Sequence, residues 1–240
     1  MRTVGHRGAS ALAPGNTLLA VQLAISHGLD FVEVDVHLSR DRHLVVHHDA
    51  VIMDGNGDQV PITALSAAEL SQVPKGSGQS VPRLEEVLEL AGGRIGVYVE
   101  LKALGTGNAM GALLAHRRTN PELIVGSFST ALVTEARDAA PNEPRSVMFA
   151  DASIPTMIET CRSVDARYAH PCQRPVTAAA IRRLHAAGLW VMTPHTNEVA
   201  EAERFRDAGA DLVASDDPRV LVALNATGPG TSDVAPGSMN

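Results

Sequence analysis

Aromatic side chains are scarce in this sequence: one tryptophan, two tyrosines and four phenylalanines among 240 residues. Aliphatic side chains must therefore do most of the packing, and a hydrophobic content of 45% is enough for a large core. There are only two cysteines, Cys161 and Cys172. They form no CxxC pair and their spacing fits no zinc site, so two free thiols are expected. No run of Lys or Arg stands out, and the net charge is −7. That balance argues against a nucleic-acid or anionic-membrane surface. No segment approaches the roughly 18–20 apolar residues that a membrane helix needs. The first strand begins within a few residues of Met1, which leaves no room for a signal peptide, and a cytoplasmic location is expected. The last stretch, residues 225–240, is rich in Gly, Pro, Ser and Thr. It reads as a disordered tail.

What is present is a recurring unit. An Ala-rich amphipathic stretch ends at a glycine, and a short apolar run follows at once. Examples are "LLAVQLAISHGLDFVEVDV", "AAAIRRLHAAGLWVMTP" and "EAERFRDAGADLVASD". The glycine is a helix C-terminal stop and the apolar run a buried strand, so the units are βαβ and the sheet is parallel. Strands fall near residues 2–5, 30–36, 95–101, 123–127, 145–149, 167–170, 189–193 and 211–215. Helices fall near 17–27, 84–91, 109–118, 130–139, 153–162, 177–187, 198–208 and 217–224. Eight regular units favour a closed (β/α)8 TIM barrel over a doubly wound open sheet. The expected domain is a single catalytic barrel over 1–224, with a small insertion after strand two at about 44–83. That insertion carries a β-like run, the turn-rich "DGNGDQ" and a short helix at 66–72.

Catalytic groups of such barrels sit where strands end and loops begin. Strand two reads Phe31, Val32, Glu33, Val34, Asp35, Val36. Period-2 geometry puts Glu33 and Asp35 on one face, about 7 Å apart along the strand. Strand three places Glu100 and Lys102 on the face opposite Val97, Val99 and Leu101. A half-exposed strand with a polar solvent face would alternate in the same way. Inside βαβ units, however, the outer face is covered by helices, so these charges point into the barrel. Unpaired carboxylates are costly there, and a bound cation is the expected remedy.

Glu33, Asp35 and Glu100 are hard oxygen donors, suited to Mg²⁺ or Ca²⁺. Arg7 can grip a phosphate bidentately and Lys102 supplies a point charge. His6 and His48 can flank that phosphate as proton donor and acceptor. Of the other histidines, His27, His43, His116 and His185 read as structural or surface residues. His47 alternates away from His48, and His37 is expected to point elsewhere. Asn16 or Thr17 is expected to cap the first helix.

These residues stand in an ordered set: "HRG", "P-x-N-T", "VEVDVHLSRDRHLVVHHD", "VPRLEEVL", "VYVELK", "VGSFS" and "LVASDDP". The set resembles the glycerophosphodiester phosphodiesterases over roughly residues 1–224. The resemblance implies a (β/α)8 barrel with a small insertion after strand two. It implies His6 and His48 as general acid and base, Arg7 and Lys102 as phosphate-binding groups, and Glu33, Asp35 and Glu100 as divalent-metal ligands. The implied reaction is hydrolysis of a glycerophosphodiester to sn-glycerol 3-phosphate and an alcohol. Whether water or the glycerol 2-hydroxyl attacks, and which histidine is the acid, stay open.

Two departures stand out. Gly15 occupies the place where the family usually carries Glu. Pro194 and His195 stand where it usually has Trp and Thr, and the chain's tryptophan, Trp190, lies four residues earlier. Two alternatives follow: the same chemistry on another phosphodiester, lysophospholipid or sphingomyelin-like, or a barrel that binds a phosphodiester without turning it over. The partner expected is a small-molecule substrate.

Overall fold

The computed structural model describes residues 1–54, 57–117, 121–173 and 176–226. Eight parallel strands form the barrel: β1 (Arg2–Gly5), β2 (Phe31–Leu38), β3 (Gly96–Leu101), β4 (Leu123–Ser127), β5 (Arg145–Phe149), β6 (Tyr168–Pro171), β7 (Trp190–Val191) and β8 (Leu212–Ser215). Each pairs with its sequence neighbours, and β1 also pairs with β8. The ring closes between β7 and β8 through a Met192–Leu212 bridge. Asp211 N–H donates to the Val191 carbonyl and Thr193 N–H to the Leu212 carbonyl, both at 3.0 Å. The expected (β/α)8 barrel is the one observed. Among the described residues no helix is long and apolar enough to cross a membrane.

Alternation along the strands sorts the side chains into two cores. Val32, Val34, Val36, Val97, Val99 and Leu101 face outward and pack under the helices. Val4, Phe31, Tyr98, Ile124, Met148, Tyr168 and Leu212 face inward and fill the barrel. Three of the chain's few aromatic rings are thus spent inside the barrel. Two glycines make room for them. Gly96 pairs with Phe31 across the β2–β3 ladder, and a Cβ at Gly96 would run into the Phe31 ring. A Cβ at Gly126 would run into the Tyr98 hydroxyl. The filled interior leaves Glu33, Asp35 and Glu100 above it, at the strands' C-terminal ends.

The helices follow the expected pattern with shifted ends. The helix after β3 spans Thr106–Ala115, starting three residues before the expected 109, because Gly105 adopts φ 85° and turns the chain into it. The last helix runs Pro218–Ala226, so Asn225 and Ala226 are helical rather than the start of a tail. The rest of the expected tail, 227–240, lies outside the described residues.

The insertion is a folded unit with its own core of Val45, Ile52, Ile62, Leu70, Val73 and Val81. Its first strand, Leu44–Val46, runs antiparallel to the end of β2. A hairpin follows (Val51–Met53 with Gln59–Pro61), then the helix Ala67–Leu70 and a second hairpin (Pro74–Gly76 with Gln79–Ser80). The helix starts where a capping box places it: Ser66 Oγ accepts from Glu69 N–H and the Glu69 carboxylate accepts from Ser66 N–H. The second hairpin docks on the first βα loop. There Gln79 Oε1 accepts from Leu19 N–H at 3.2 Å, and Lys75 Nζ donates to the Asn16 carbonyl at 3.2 Å.

Because the Phe31 ring fills the space a side chain at residue 96 would need, Gly96→Ala should cost about 1–3 kcal/mol. The urea midpoint should fall at unchanged m-value; an unchanged midpoint would contradict this packing.

Candidate active site

The first βα loop folds back on itself. β1 and β8 are in register at Gly5 and Ser215, which sets His6 beside Asp216. Arg7 takes φ 54° and Gly8 φ 83°. Gly8 is required there, because a Cβ would sit 2.6 Å from the Ala20 carbonyl carbon. The turn aims the Arg7 N–H at Glu33 Oε2 (2.9 Å) and its guanidinium Nε toward Asp35 Oδ2 (3.4 Å). Of the two expected caps, Thr17 takes the role, accepting from Ala20 N–H. Asn16 instead grips Asp35 twice. Its Nδ2 donates to Asp35 Oδ2 at 2.8 Å, and its Oδ1 accepts from Asp35 N–H at 3.1 Å.

The β2–β3 register sets Asp35 opposite Glu100. Oxygen atoms of Glu33, Asp35 and Glu100 lie within 4.8 Å of one another, all three side chains buried. Lys102 Nζ contacts Glu100 Oε1 at 2.7 Å and Asp35 Oδ1 at 3.3 Å. Burial pushes the Glu33 carboxyl well up, and Asp35 and Glu100 add to the push. Burial and then Asp35 raise Glu100 as well. Burial also opposes the ionised form of Asp35, but Lys102, the Asn16 hydrogen bond and Arg7 together hold its carboxyl below the usual range. Glu33 Oε1 is buried and has no hydrogen-bond partner among the described residues. Three converging carboxylates, two cations and an orphan oxygen make a donor set that fits a hard divalent cation such as Mg²⁺ or Ca²⁺.

Two histidines flank this cluster, each held by a carboxylate. His6 Nδ1 lies 2.7 Å from Asp216 Oδ1, and its Nε2 lies 3.9 Å from Glu33 Oε2. Ser10 Oγ and Asn197 Nδ2 also donate to Asp216, each at 2.8 Å. Those hydrogen bonds, the His6 one first, hold the Asp216 carboxyl far below the carboxylate range. His48 Nδ1 lies 2.8 Å from Asp49 Oδ1. His37, expected to point elsewhere, turns to a backbone carbonyl rather than to the carboxylates. It shares the odd-numbered face of β2 with Glu33 and Asp35, and its Nε2 sits 3.1 Å from the His48 carbonyl oxygen. His47 turns from the site as expected, toward the Val51 carbonyl, and its burial pulls its pKa to about 4.

His6, Arg7, Glu33, His48, Glu100 and Lys102 line one cavity of about 220 Å³. Asp35 lies behind them, holding Arg7 and Lys102 in place. The structure thus brings all seven expected residues together. It adds Asp216, which orients His6, and His195, whose ring stacks on His6 with centroids 4.5 Å apart. Asp216 directly follows β8, the position at which a strand-end search would find it. Phe128, just past β4, supplies the cavity's aromatic wall. Trp190 does not: it opens β7, at the far end of the barrel, under the Arg167 guanidinium. Gly15 packs on Arg7, where a Cβ would lie 3.2 Å from the Arg7 Cβ.

The glycerophosphoryl diester phosphodiesterase family model matches residues 6–220, which spans every residue of this cavity. The chain belongs to that family. A glycerophosphodiester phosphodiesterase of Caldanaerobacter subterraneus is 26% identical over 234 residues, covering 92% of this chain and 96% of the relative. YhdW of Bacillus subtilis is 30% identical over 238 residues, covering 92% and 97%. An Oleispira antarctica phosphodiesterase, solved with the product sn-glycerol 3-phosphate, superposes with a TM-score of 0.83 at 27% identity, covering 94% of this chain and 96% of that one. A glycerophosphodiester phosphodiesterase from Agrobacterium tumefaciens superposes at 0.79 and 27%, covering 92% and 99%.

If the carboxylate cluster takes a divalent cation, Mg²⁺ or Ca²⁺ should stabilise this phosphodiesterase family member. A hundredfold excess over Kd adds about 2.7 kcal/mol, or roughly 5–10 °C in Tm for a chain of this size. Glu33→Gln should abolish the shift. An equal shift in that variant would place the ion elsewhere.

Proposed function

We propose that this chain hydrolyses glycerophosphodiesters to sn-glycerol 3-phosphate and an alcohol, with residues 1–224 acting as one catalytic barrel. The observation that carries the reading is the convergence on one cavity of two carboxylate-oriented histidines, two cations and two buried carboxylates, with Asp35 behind them. The bound product in the Oleispira relative supports the same substrate class. The two free thiols, Cys161 and Cys172, suit a reducing compartment, in keeping with a cytoplasmic enzyme.

The roles follow from charge and hydrogen bonding. Arg7 and Lys102 face the phosphodiester and offset the negative charge that grows on it in the transition state. Lys102 stays protonated: Glu100 and Asp35 raise its pKa against the opposing effect of burial. Asp216, held ionised, accepts from His6 Nδ1–H and leaves Nε2 free to exchange a proton inside the cavity. Asp49 does the same for His48. One histidine takes the nucleophile's proton and the other protonates the alkoxide, a leaving group too basic to depart unaided. A divalent cation held by Glu33, Asp35 and Glu100 would supply Lewis-acid charge to the phosphoryl oxygens.

His6→Ala and His48→Ala should each lower kcat by about 10²–10⁴-fold with the thermal unfolding curve unchanged. Turnover of glycerophosphoethanolamine followed by phosphorus NMR reads this directly. Wild-type rates in both variants would remove the histidines from the mechanism.

A further inference from the structure

A second cavity, of about 330 Å³, is lined wholly by residues of the insertion. It adjoins the catalytic one across the His48–Asp49 pair: His48 lines the catalytic cavity and Asp49 the second. Val51, Ile52, Met53 and Pro74 give it apolar walls, and His47 and Gln59 add polar ones. Lys75 lines it as well. The Lys75 ammonium is half-buried and hydrogen-bonded to the Asn16 carbonyl, and among the described residues it pairs with no carboxylate. Burial pulls its pKa to about 8, with Arg7 adding to the pull and Asp35 and Asp49 opposing it. An ammonium has three N–H donors, and one carbonyl uses only one of them. A part-buried cation without a counter-ion is costly unless a ligand supplies the anion.

The catalytic cavity, at about 220 Å³, has room for the glycerol phosphate half that every glycerophosphodiester shares. The variable alcohol extends from that half, and the neighbouring residues His48 and Asp49 put the insertion's cavity beside it. There it meets a positive group, Lys75, and a negative one, Asp49, on apolar walls. We propose that the insertion's cavity holds the alcohol half of the substrate and that Lys75 selects an alcohol carrying a carboxylate, that of a serine-type zwitterion. The carboxylate would take a charge-assisted hydrogen bond from Lys75 Nζ, and the ammonium would face Asp49. This inference rests on the phosphodiesterase reading above and names the substrate class within it.

Glycerophosphoserine and glycerophosphoethanolamine differ by one carboxylate, so their kcat/KM ratio isolates the contact. The wild-type enzyme should favour the serine diester by at least about tenfold, mainly through KM, as expected for a hydrogen bond to a charged group. Lys75→Gln should collapse the ratio to within about twofold, and Lys75→Arg should keep it. A wild-type ratio near one overturns the proposal without any variant. So does a preference that survives Lys75→Gln. If the wild-type enzyme turns over neither diester, the phosphodiesterase reading fails instead. Calorimetric binding of the same two diesters to the wild-type chain with Mg²⁺ then tests Lys75 separately: a tighter serine diester supports it, and equal affinities overturn it.

Discussion

The arrangement depends on offsetting the burial of three carboxylates at the mouth of a filled barrel. Asp35 is the hub. It takes Asn16 on one oxygen and Lys102 on the other, and Arg7 stands 3.4 Å away. Each of those partners is placed by backbone. Asn16 and Arg7 both adopt left-handed φ in the first loop, and the Asn16 N–H closes that loop onto the Arg7 carbonyl at 2.9 Å. Lys102 follows β3, where its N–H donates to the Val36 carbonyl at 3.1 Å. The backbone strain of two non-glycine left-handed residues is thus tied to the site they build.

The two histidines line one cavity but are supported by different parts of the fold. His6 depends on the β1–β8 seam, because Asp216 comes from the last strand and is itself held by Ser10 and Asn197. His48 depends on the insertion and on β2, through Asp49 and through His37 beneath its carbonyl. The barrel therefore supplies one histidine of the cavity and the insertion frames the other. The insertion is tied to the first loop through Lys75 and Gln79, so loop and insertion hold each other over the cavity.

Much of this was legible in the sequence because two periodicities are strict. Alternation along β2 and β3 separates Val32, Val34, Val97 and Val99 from Glu33, Asp35 and Glu100, and burial on both sheet faces makes that separation meaningful. The glycine stops between helix and strand marked the repeat. What was less legible depends on contacts distant in sequence. Asp216 acts through a residue 210 positions away, and only strand register brings the two together. Local chemistry favours Asn16 and Thr17 alike as the helix cap, yet Asp35 claims the Asn16 side chain and leaves the cap to Thr17. His37 falls on the odd-numbered face of β2, but its partner is a backbone carbonyl, which side-chain patterns do not reveal. Phe128 lines the same cavity as Pro194, and no local pattern in the sequence marks it for that place.

We propose that the buried carboxylates serve a divalent cation in phosphodiester hydrolysis. The direct measurement is glycerophosphoethanolamine turnover by phosphorus NMR, after exhaustive dialysis against EDTA and again after Mg²⁺ or Ca²⁺ is returned. Turnover should vanish on dialysis and return with the ion. Full turnover by the demetallated chain in excess EDTA would contradict the account.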